Sequence, residues 1–115
     1  MKENKKLPVL EATVLRNIPV GAEHPKNSRE LASETGINMR LLRRCVRRLI
    51  INYGIPIIAT RRDGGGYFIP RNQDEMDLGI LPLLSQHEEE QKRITALLNA
   101  DLEAYQQYLG KEVEE

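Results

Sequence analysis

The fold of this chain is decided by the stretch Asn38-Met39-Arg40-Leu41-Leu42-Arg43-Arg44-Cys45-Val46-Arg47-Arg48-Leu49-Ile50-Ile51-Asn52. At about 100° per residue, its side chains divide into two faces. The apolar face comprises Leu42, Cys45, Val46, Leu49 and Tyr53. The opposite face comprises Arg40, Arg43, Arg44, Arg47 and Arg48. Because Arg favours helices and Asn38 can accept a hydrogen bond from a first-turn N–H, the stretch predicts a helix with one face in a core.

The arginine face of this predicted helix is expected to bind an anion. Five like charges on one surface repel one another, and nucleic-acid phosphate is the group that most often neutralises such a surface. No Asp or Glu lies among the five arginines. The alternative, a basic face that is simply solvated, remains open at this point.

Composition divides the chain into a basic and an acidic part. The 115 residues fit one domain with an appendage, and the net charge at pH 7 is zero. Residues 1–72 contain 14 Lys and Arg against 6 Asp and Glu, whereas residues 73–115 contain 3 against 11. The two parts therefore carry net charges of +8 and −8, which indicates a basic binding domain followed by an acidic appendage.

Two helices and a turn are predicted ahead of the arginine helix. Residues 7–18 carry an apolar stripe at helical spacing, and residues 19–27 form a connection rich in Pro and Gly. The stripe comprises Val9 or Leu10, then Val14, Leu15 and Ile18. Ser28 is expected to cap the next helix, which ends at Gly36 in a left-handed turn. Helix, short turn and second helix together predict a helix-turn-helix.

A β-hairpin is predicted directly after the arginine helix. Residues 55–60 are apolar and β-branched, residues 61–65 form a Gly-rich turn, and residues 66–70 form a second short strand. Gly64-Gly65-Gly66 lacks the Gly-Lys-Ser/Thr of a phosphate loop, so a hairpin turn is the better interpretation.

These segments together resemble the winged helix-turn-helix DNA-binding domains of bacterial regulators. The resemblance rests on Ser28-Arg29-Glu30-Leu31-Ala32, Gly36-Ile37-Asn38, the arginine helix, Gly54-Ile55-Pro56-Ile57 and Gly65-Gly66-Tyr67-Phe68-Ile69. Domains of the biotin-operon-repressor type are similar over residues 7–70, and small prophage-encoded winged-helix proteins are similar, more loosely, over residues 71–109 as well. The resemblance implies a recognition helix at residues 38–52 and a wing at residues 57–69. The expected fold is mainly α with a small β-hairpin, an α+β winged helix plus a long C-terminal helix.

The C-terminal part is predicted to pair two copies of the chain. After a winged-helix domain at residues 7–71, residues 72–82 are expected to form a linker or short helix, which Pro82 breaks or kinks. Residues 83–110 predict an amphipathic helix of about 40 Å, longer than a domain of about 65 residues is wide. A homodimer is therefore expected, and a helix folded back on its own domain is the alternative. The predicted interface comprises Leu84, His87, Gln91, Ile94, Leu98, Leu102, Tyr105 and Leu109.

The expected partner is double-stranded DNA, with the arginine helix in the major groove. Asn38, Met39, Arg40, Arg43 and Arg44 are the predicted base contacts. Ser28, Arg29, Arg47, Arg48, Arg61 and Arg62 are the predicted backbone contacts. The function expected is that of a transcriptional regulator. A winged-helix protein-interaction module, or a replication or recombination accessory factor of a mobile element, is the alternative.

Other classes of protein find little support in the sequence. We find no catalytic constellation and no metal or cofactor motif, and the single Cys45 lies on the apolar face of its predicted helix. No apolar run reaches the length of a membrane span, and one cysteine cannot form an internal disulfide, so a cytoplasmic, non-enzymatic protein is expected. Residues 1–6 are expected to form a disordered basic tail, and residues 111–115 a frayed acidic one.

Overall fold

Helices dominate the computed structural model, which describes residues 6–61 and 65–110. The elements are α1 (Val9–Asn17), α2 (Ser28–Thr35), α3 (Met39–Ile51), β1 (Ile58–Thr60), β2 (Gly66–Phe68), α4 (Gln73–Leu98) and a 3-10 helix at Ala104–Tyr108. The expected α+β class, mainly helical with one small antiparallel sheet, is confirmed. The chain forms two compact units that meet between Leu81 and Pro82. Residues 1–5 and 111–115, which make up almost all of the two predicted tails, lie outside the described residues.

The core of the first unit lies where α1, α2 and α3 pack on one another. Its buried side chains are Val14, Ile18, Leu31, Leu42, Cys45, Val46, Leu49 and Ile57. Of the two candidates at the start of α1, Leu10 packs against this core and Val9 is exposed. Tyr53 was predicted on the apolar face of α3, and this is wrong. The helix ends at Ile51, so Tyr53 falls in the following turn and is exposed.

Side-chain caps fix where α2 and α3 begin. The Asn38 Oδ1 accepts a hydrogen bond from the Leu41 N–H at 2.9 Å, which confirms the predicted cap of α3. The predicted cap at Ser28 is wrong, because the preceding residue, Asn27, caps α2. Asn27 accepts from the Glu30 N–H at 2.8 Å, and the Glu30 carboxylate accepts from the Asn27 N–H at 3.2 Å. This capping box makes Ser28 the first helical residue.

The turn between α2 and α3 depends on Gly36. Its φ of 74° lies in the left-handed region, which confirms the predicted tight turn. The Gly36 N–H donates to the Ala32 carbonyl at 2.9 Å and ends α2. Two residues later Asn38 begins α3, so the helix–turn–helix order expected from the sequence is present.

The hairpin is confirmed, and its second strand also pairs with the connection between α1 and α2. Strands β1 and β2 are antiparallel, with Ile58 opposite Phe68. On the connection, Val20 bridges to Ile69 in the parallel sense, and Lys26 bridges to Tyr67 in the antiparallel sense. The unusually long connection at residues 19–27 therefore lines the outer edge of β2.

Strand β1 is shorter than the predicted strand at residues 55–60. The Ile55 N–H donates to the Leu49 carbonyl at 3.0 Å, so it serves the end of α3 rather than a sheet. Pro56 has no N–H to donate to a ladder. Regular pairing begins only at Ile58.

Helix α4 corrects the predicted organisation of the C-terminal part. The predicted linker at residues 72–82 and helix at residues 83–110 are wrong in their bounds, because one helix runs from Gln73 through Pro82 to Leu98. Asn72 caps this helix by accepting from the Glu75 N–H at 2.9 Å. Pro82 removes a single hydrogen bond, which a helix of 26 residues accommodates. The helix ends early because the Asp101 carboxylate accepts from the N–H groups of Glu103 and Ala104 and starts the 3-10 helix instead.

Candidate nucleic-acid interface

Four of the five arginines on α3 are exposed. They are Arg40, Arg43, Arg44 and Arg47. The opposite side of the same helix is anchored by Leu42, Cys45 and Leu49, none of which is exposed at all. Among residues 6–61 and 65–110, no carboxylate forms a salt bridge with any of the four. A row of guanidiniums that has no carboxylate partner among the described residues can therefore face an anion without first breaking an ion pair within that part of the chain.

The fifth arginine, Arg48, points into the protein instead. Its Nη2 atom lies 2.9 Å from Oε1 of Glu11 on α1, and the Glu11 side chain is only 6% exposed. The same nitrogen donates to the Cys45 Sγ at 3.6 Å. That hydrogen bond and the nearby Glu11 carboxylate raise the pKa of Arg48 above its usual value. The predicted backbone contact from Arg48 is thus disfavoured, because this charge already neutralises a buried acid.

The helical geometry explains why Arg48 differs from its neighbours. At about 100° per residue, Arg48 lies only about 60° from Cys45 around the helix axis, at the edge of the apolar sector. The burial of Glu11 could also have been predicted from the sequence. Glu11 precedes Val14 by three residues and Ile18 by seven, so it lies on the same buried face of α1. A carboxylate at such a position needs a cation, and only the tertiary fold identifies that cation as Arg48.

The two remaining predicted base contacts lie at the start of α3. Asn38 is exposed, but its Oδ1 atom is engaged in the cap of the helix. Met39 is half-buried. At the start of α2, Arg29 is exposed and Ser28 is half-buried. Arg40, Arg43 and Arg44 are therefore the predicted base-contacting residues that are exposed and whose side chains are not used in a cap.

The hairpin supplies one arginine to the candidate interface within the described residues. Arg61 follows β1 directly and is exposed, whereas Arg62 lies outside the described residues. Gly66, at the start of β2, has a φ of 147°, and a Cβ added there would lie 2.7 Å from the backbone carbon of Lys26. Glycine at this position lets the hairpin and the connection at residues 19–27 approach closely.

A cluster of charged residues that the sequence reasoning missed holds this connection in place. Arg71 pairs with Glu23 on the connection and with Glu75 in the first turn of α4, the second at 3.0 Å. The Ala22 N–H also donates to Glu75, at 3.1 Å. These hydrogen bonds, first of all the one from the Arg71 side chain, lower the pKa of Glu75 to about 2. The pairing of Arg71 with Glu75 could have been predicted from their i,i+4 spacing, at which opposite charges can interact.

The predicted dimer residues all lie in the second unit. All eight are exposed in this single chain: Leu84, His87, Gln91, Ile94, Leu98, Leu102, Tyr105 and Leu109. The first five belong to α4, and the last three lie in or beside the 3-10 helix. The structure therefore divides the predicted interface between two helical segments.

The described residues contain no candidate cluster for a metal ion and no helix that could span a membrane. Within residues 6–61 and 65–110, no three His, Cys, Asp or Glu side chains are grouped so that they could hold a metal ion. None of the helices described is both long enough and apolar enough to cross a membrane.

Comparison of the chain with protein-family models, with curated proteins and with solved structures found no match.

Proposed function

We propose that this chain is a winged helix-turn-helix protein that binds double-stranded DNA in a sequence-specific manner and acts as a transcriptional regulator of bacterial or prophage origin. The proposal rests on the row of exposed arginines on α3 that form no salt bridge with any carboxylate in residues 6–61 and 65–110. This helix is the second of a helix–turn–helix and is followed by a hairpin, the element order of a winged helix.

In this proposal α3 lies in the major groove, which is about 12 Å wide and admits one helix. Arg40, Arg43 and Arg44, nearest the N-terminal end, reach base edges, where a guanidinium can bind O6 and N7 of guanine together. Arg47 holds a phosphate farther along the groove. Arg61 on the hairpin contacts the neighbouring backbone or minor groove.

The proposed regulator acts in the cytoplasm as a homodimer joined through its C-terminal helical part. Two recognition helices would then read two half-sites about one helical turn apart. The exposed apolar side chains of α4 and the 3-10 helix support this part of the proposal, because a soluble monomer rarely exposes so many together.

Selection of bound duplexes from a random library tests sequence preference and half-site symmetry in one experiment. The double variant Arg40→Gln/Arg43→Gln is expected to lose the selected preference, because it removes two predicted base contacts. The matched control, Lys92→Gln/Arg93→Gln on α4, removes the same charge and is expected to retain it. If the unsubstituted chain fails to bind any duplex at about 50 mM salt, where phosphate contacts are strong, the proposal is wrong and the arginines serve another anionic partner.

A further inference from the structure

Helix α4 carries a seven-residue repeat in its second half. Leu84, Gln91 and Leu98 are spaced by seven, and His87 and Ile94 lie between them at alternating steps of three and four. All five are exposed. Positions with this spacing form one stripe that stays against a partner when two helices coil around each other. In heptad terms, the first three residues occupy a positions and the other two occupy d positions.

The exposed apolar surface of the second unit is large enough for a stable interface. Within residues 82–110, nine large apolar side chains are 51–89% exposed. They are Leu83, Leu84, Ile94, Leu97, Leu98, Leu102, Tyr105, Tyr108 and Leu109. At roughly 100 Å² of burial for each fully buried side chain, they offer about 600 Å² per copy and about 1,200 Å² for two copies. That total reaches the lower end of the range for specific protein–protein interfaces. The five on α4 supply only about half of this area, so the segments that follow α4 in the two copies must also take part in the interface.

We infer that the partner on this stripe is α4 of a second copy, aligned parallel and in register. The inference rests on the homodimer of the proposed function and specifies its arrangement. Charge decides the direction. In the parallel arrangement, Glu88 beside the stripe faces Leu83 of the other copy, and Glu90 faces Thr95, so no like charges meet.

The antiparallel arrangement that keeps the apolar layers together is electrostatically worse. It pairs Leu84 of one copy with Ile94 of the other and therefore has its two-fold axis at Glu89. Around this axis, Glu88 of one copy faces Glu88 of the other, and Glu90 faces Glu90. Like charges facing each other across an interface are unfavourable, so this alternative is rejected.

The polar residue in the middle of the stripe fixes the register. In the parallel arrangement, Gln91 of each copy faces Gln91 of the other, and the two amides can exchange hydrogen bonds because each carries a donor and an acceptor. A polar residue at an a position specifies both register and the number of helices. His87, at the preceding d position, is a second polar layer beside Gln91. These layers offset the preference for larger bundles that Leu at a and Ile at d give at the other three positions.

Disulfide cross-linking without DNA tests the arrangement. In the parallel dimer, Ile94 lies beside Ile94 of the second copy, within reach of a disulfide. Oxidised Ile94→Cys is therefore expected to run as a covalent dimer on a non-reducing gel. The matched control Ala96→Cys, which lies on the outer side of the same turn, is expected to give at least about 10-fold less dimer. Leu98→Cys, at the next a position, provides a second test should Ile94→Cys weaken association.

The other outcomes overturn the inference. Cross-linking of the double variant Leu84→Cys/Ile94→Cys without cross-linking of Ile94→Cys alone means an antiparallel pair. A monomer or a tetramer of the unsubstituted chain in light scattering at micromolar concentration also contradicts it. DNA binding is measured separately, so a chain that cross-links as expected and binds no duplex retains the dimer and loses only the proposed DNA-binding function.

Discussion

Two neighbouring arginines, Arg47 and Arg48, are expected to respond in opposite ways to the same substitution. Arg47 is exposed and makes no salt bridge with the described carboxylates, whereas Arg48 pairs with the buried Glu11. If the exposed row binds DNA, Arg47→Gln removes a phosphate contact and leaves folding almost unchanged. Arg48→Gln removes the partner of a buried acid and leaves the number of phosphate contacts unchanged.

The size of the effect on DNA binding follows from the number of exposed cations. Three exposed arginines are assigned to the DNA backbone: Arg29, Arg47 and Arg61. If each neutralises one phosphate, log K falls with log[salt] at a slope of about −2.7, and Arg47→Gln changes the slope to about −1.8. Between 50 and 200 mM salt, affinity then falls about 40-fold for the unsubstituted chain and about 12-fold for the variant.

Fluorescence anisotropy with a labelled duplex, measured at several salt concentrations, gives both slopes. Arg48→Gln is expected to keep the slope of the unsubstituted chain while its midpoint of urea unfolding falls. Adding Glu11→Gln to Arg48→Gln is expected to restore part of that stability, because no buried charge is then left without a partner. Equal changes in slope for the two single variants would refute the distinction between the exposed row and Arg48.

Two further predictions concern the packing and charges around the start of α4, within the first unit. A Cβ at Gly79 would lie 2.3 Å from Cγ2 of the buried Ile58, which is too close for a real contact. Overpacking of this kind costs about 1–3 kcal/mol, and replacing Gly by Ala in a helix gains about 1 kcal/mol of helix propensity. Gly79→Ala is therefore expected to lower the free energy of unfolding by about 1 kcal/mol. Urea unfolding checks this, and a net stabilisation would mean that Ile58 moves aside freely. The pKa of Glu75 is lowered from 4.5 to about 2, so its ionised form is the stabilised one, and its contribution is complete above about pH 4.5 and is lost as the pH falls towards 2. The stability difference between the unsubstituted chain and Glu75→Gln, measured from pH 6 to pH 2, should shrink across that window, and a constant difference would contradict the role assigned to the carboxylate.

The parts of the fold that were predictable from the sequence depend on local chemistry. Asn38 begins α3 and Gly36 ends α2 because a side-chain cap and a left-handed residue act within one turn of the chain. The hairpin follows from two apolar runs around a glycine-rich turn. Even the wrong cap at Ser28 was an error of one position, since Asn27 and Glu30 together form the stronger local signal.

The parts that were not predictable depend on contacts between distant segments or on competition between alternatives. Arg48 was assigned to the exposed row because its pairing with Glu11 joins residues 37 positions apart. The cluster of Glu23, Arg71 and Glu75 joins a loop to a helix in the same way. Pro82 predicted a break or a kink, but α4 continues through it, so the lost hydrogen bond and the steric clash of the proline ring did not outweigh the rest of a long helix.

If α3 binds DNA, the pairing of Arg48 with Glu11 leaves a narrower arginine surface to face the groove. Arg40, Arg43, Arg44 and Arg47 follow the i, i+3, i+4, i+7 pattern, so they form one stripe about 100° wide. From the first to the last, the stripe rises about 10 Å along the helix. Arg48 lies at the edge of this stripe, and its pairing with the buried Glu11 holds its guanidinium against α1. If α3 binds in a groove, the four exposed guanidiniums are therefore the ones that would face it.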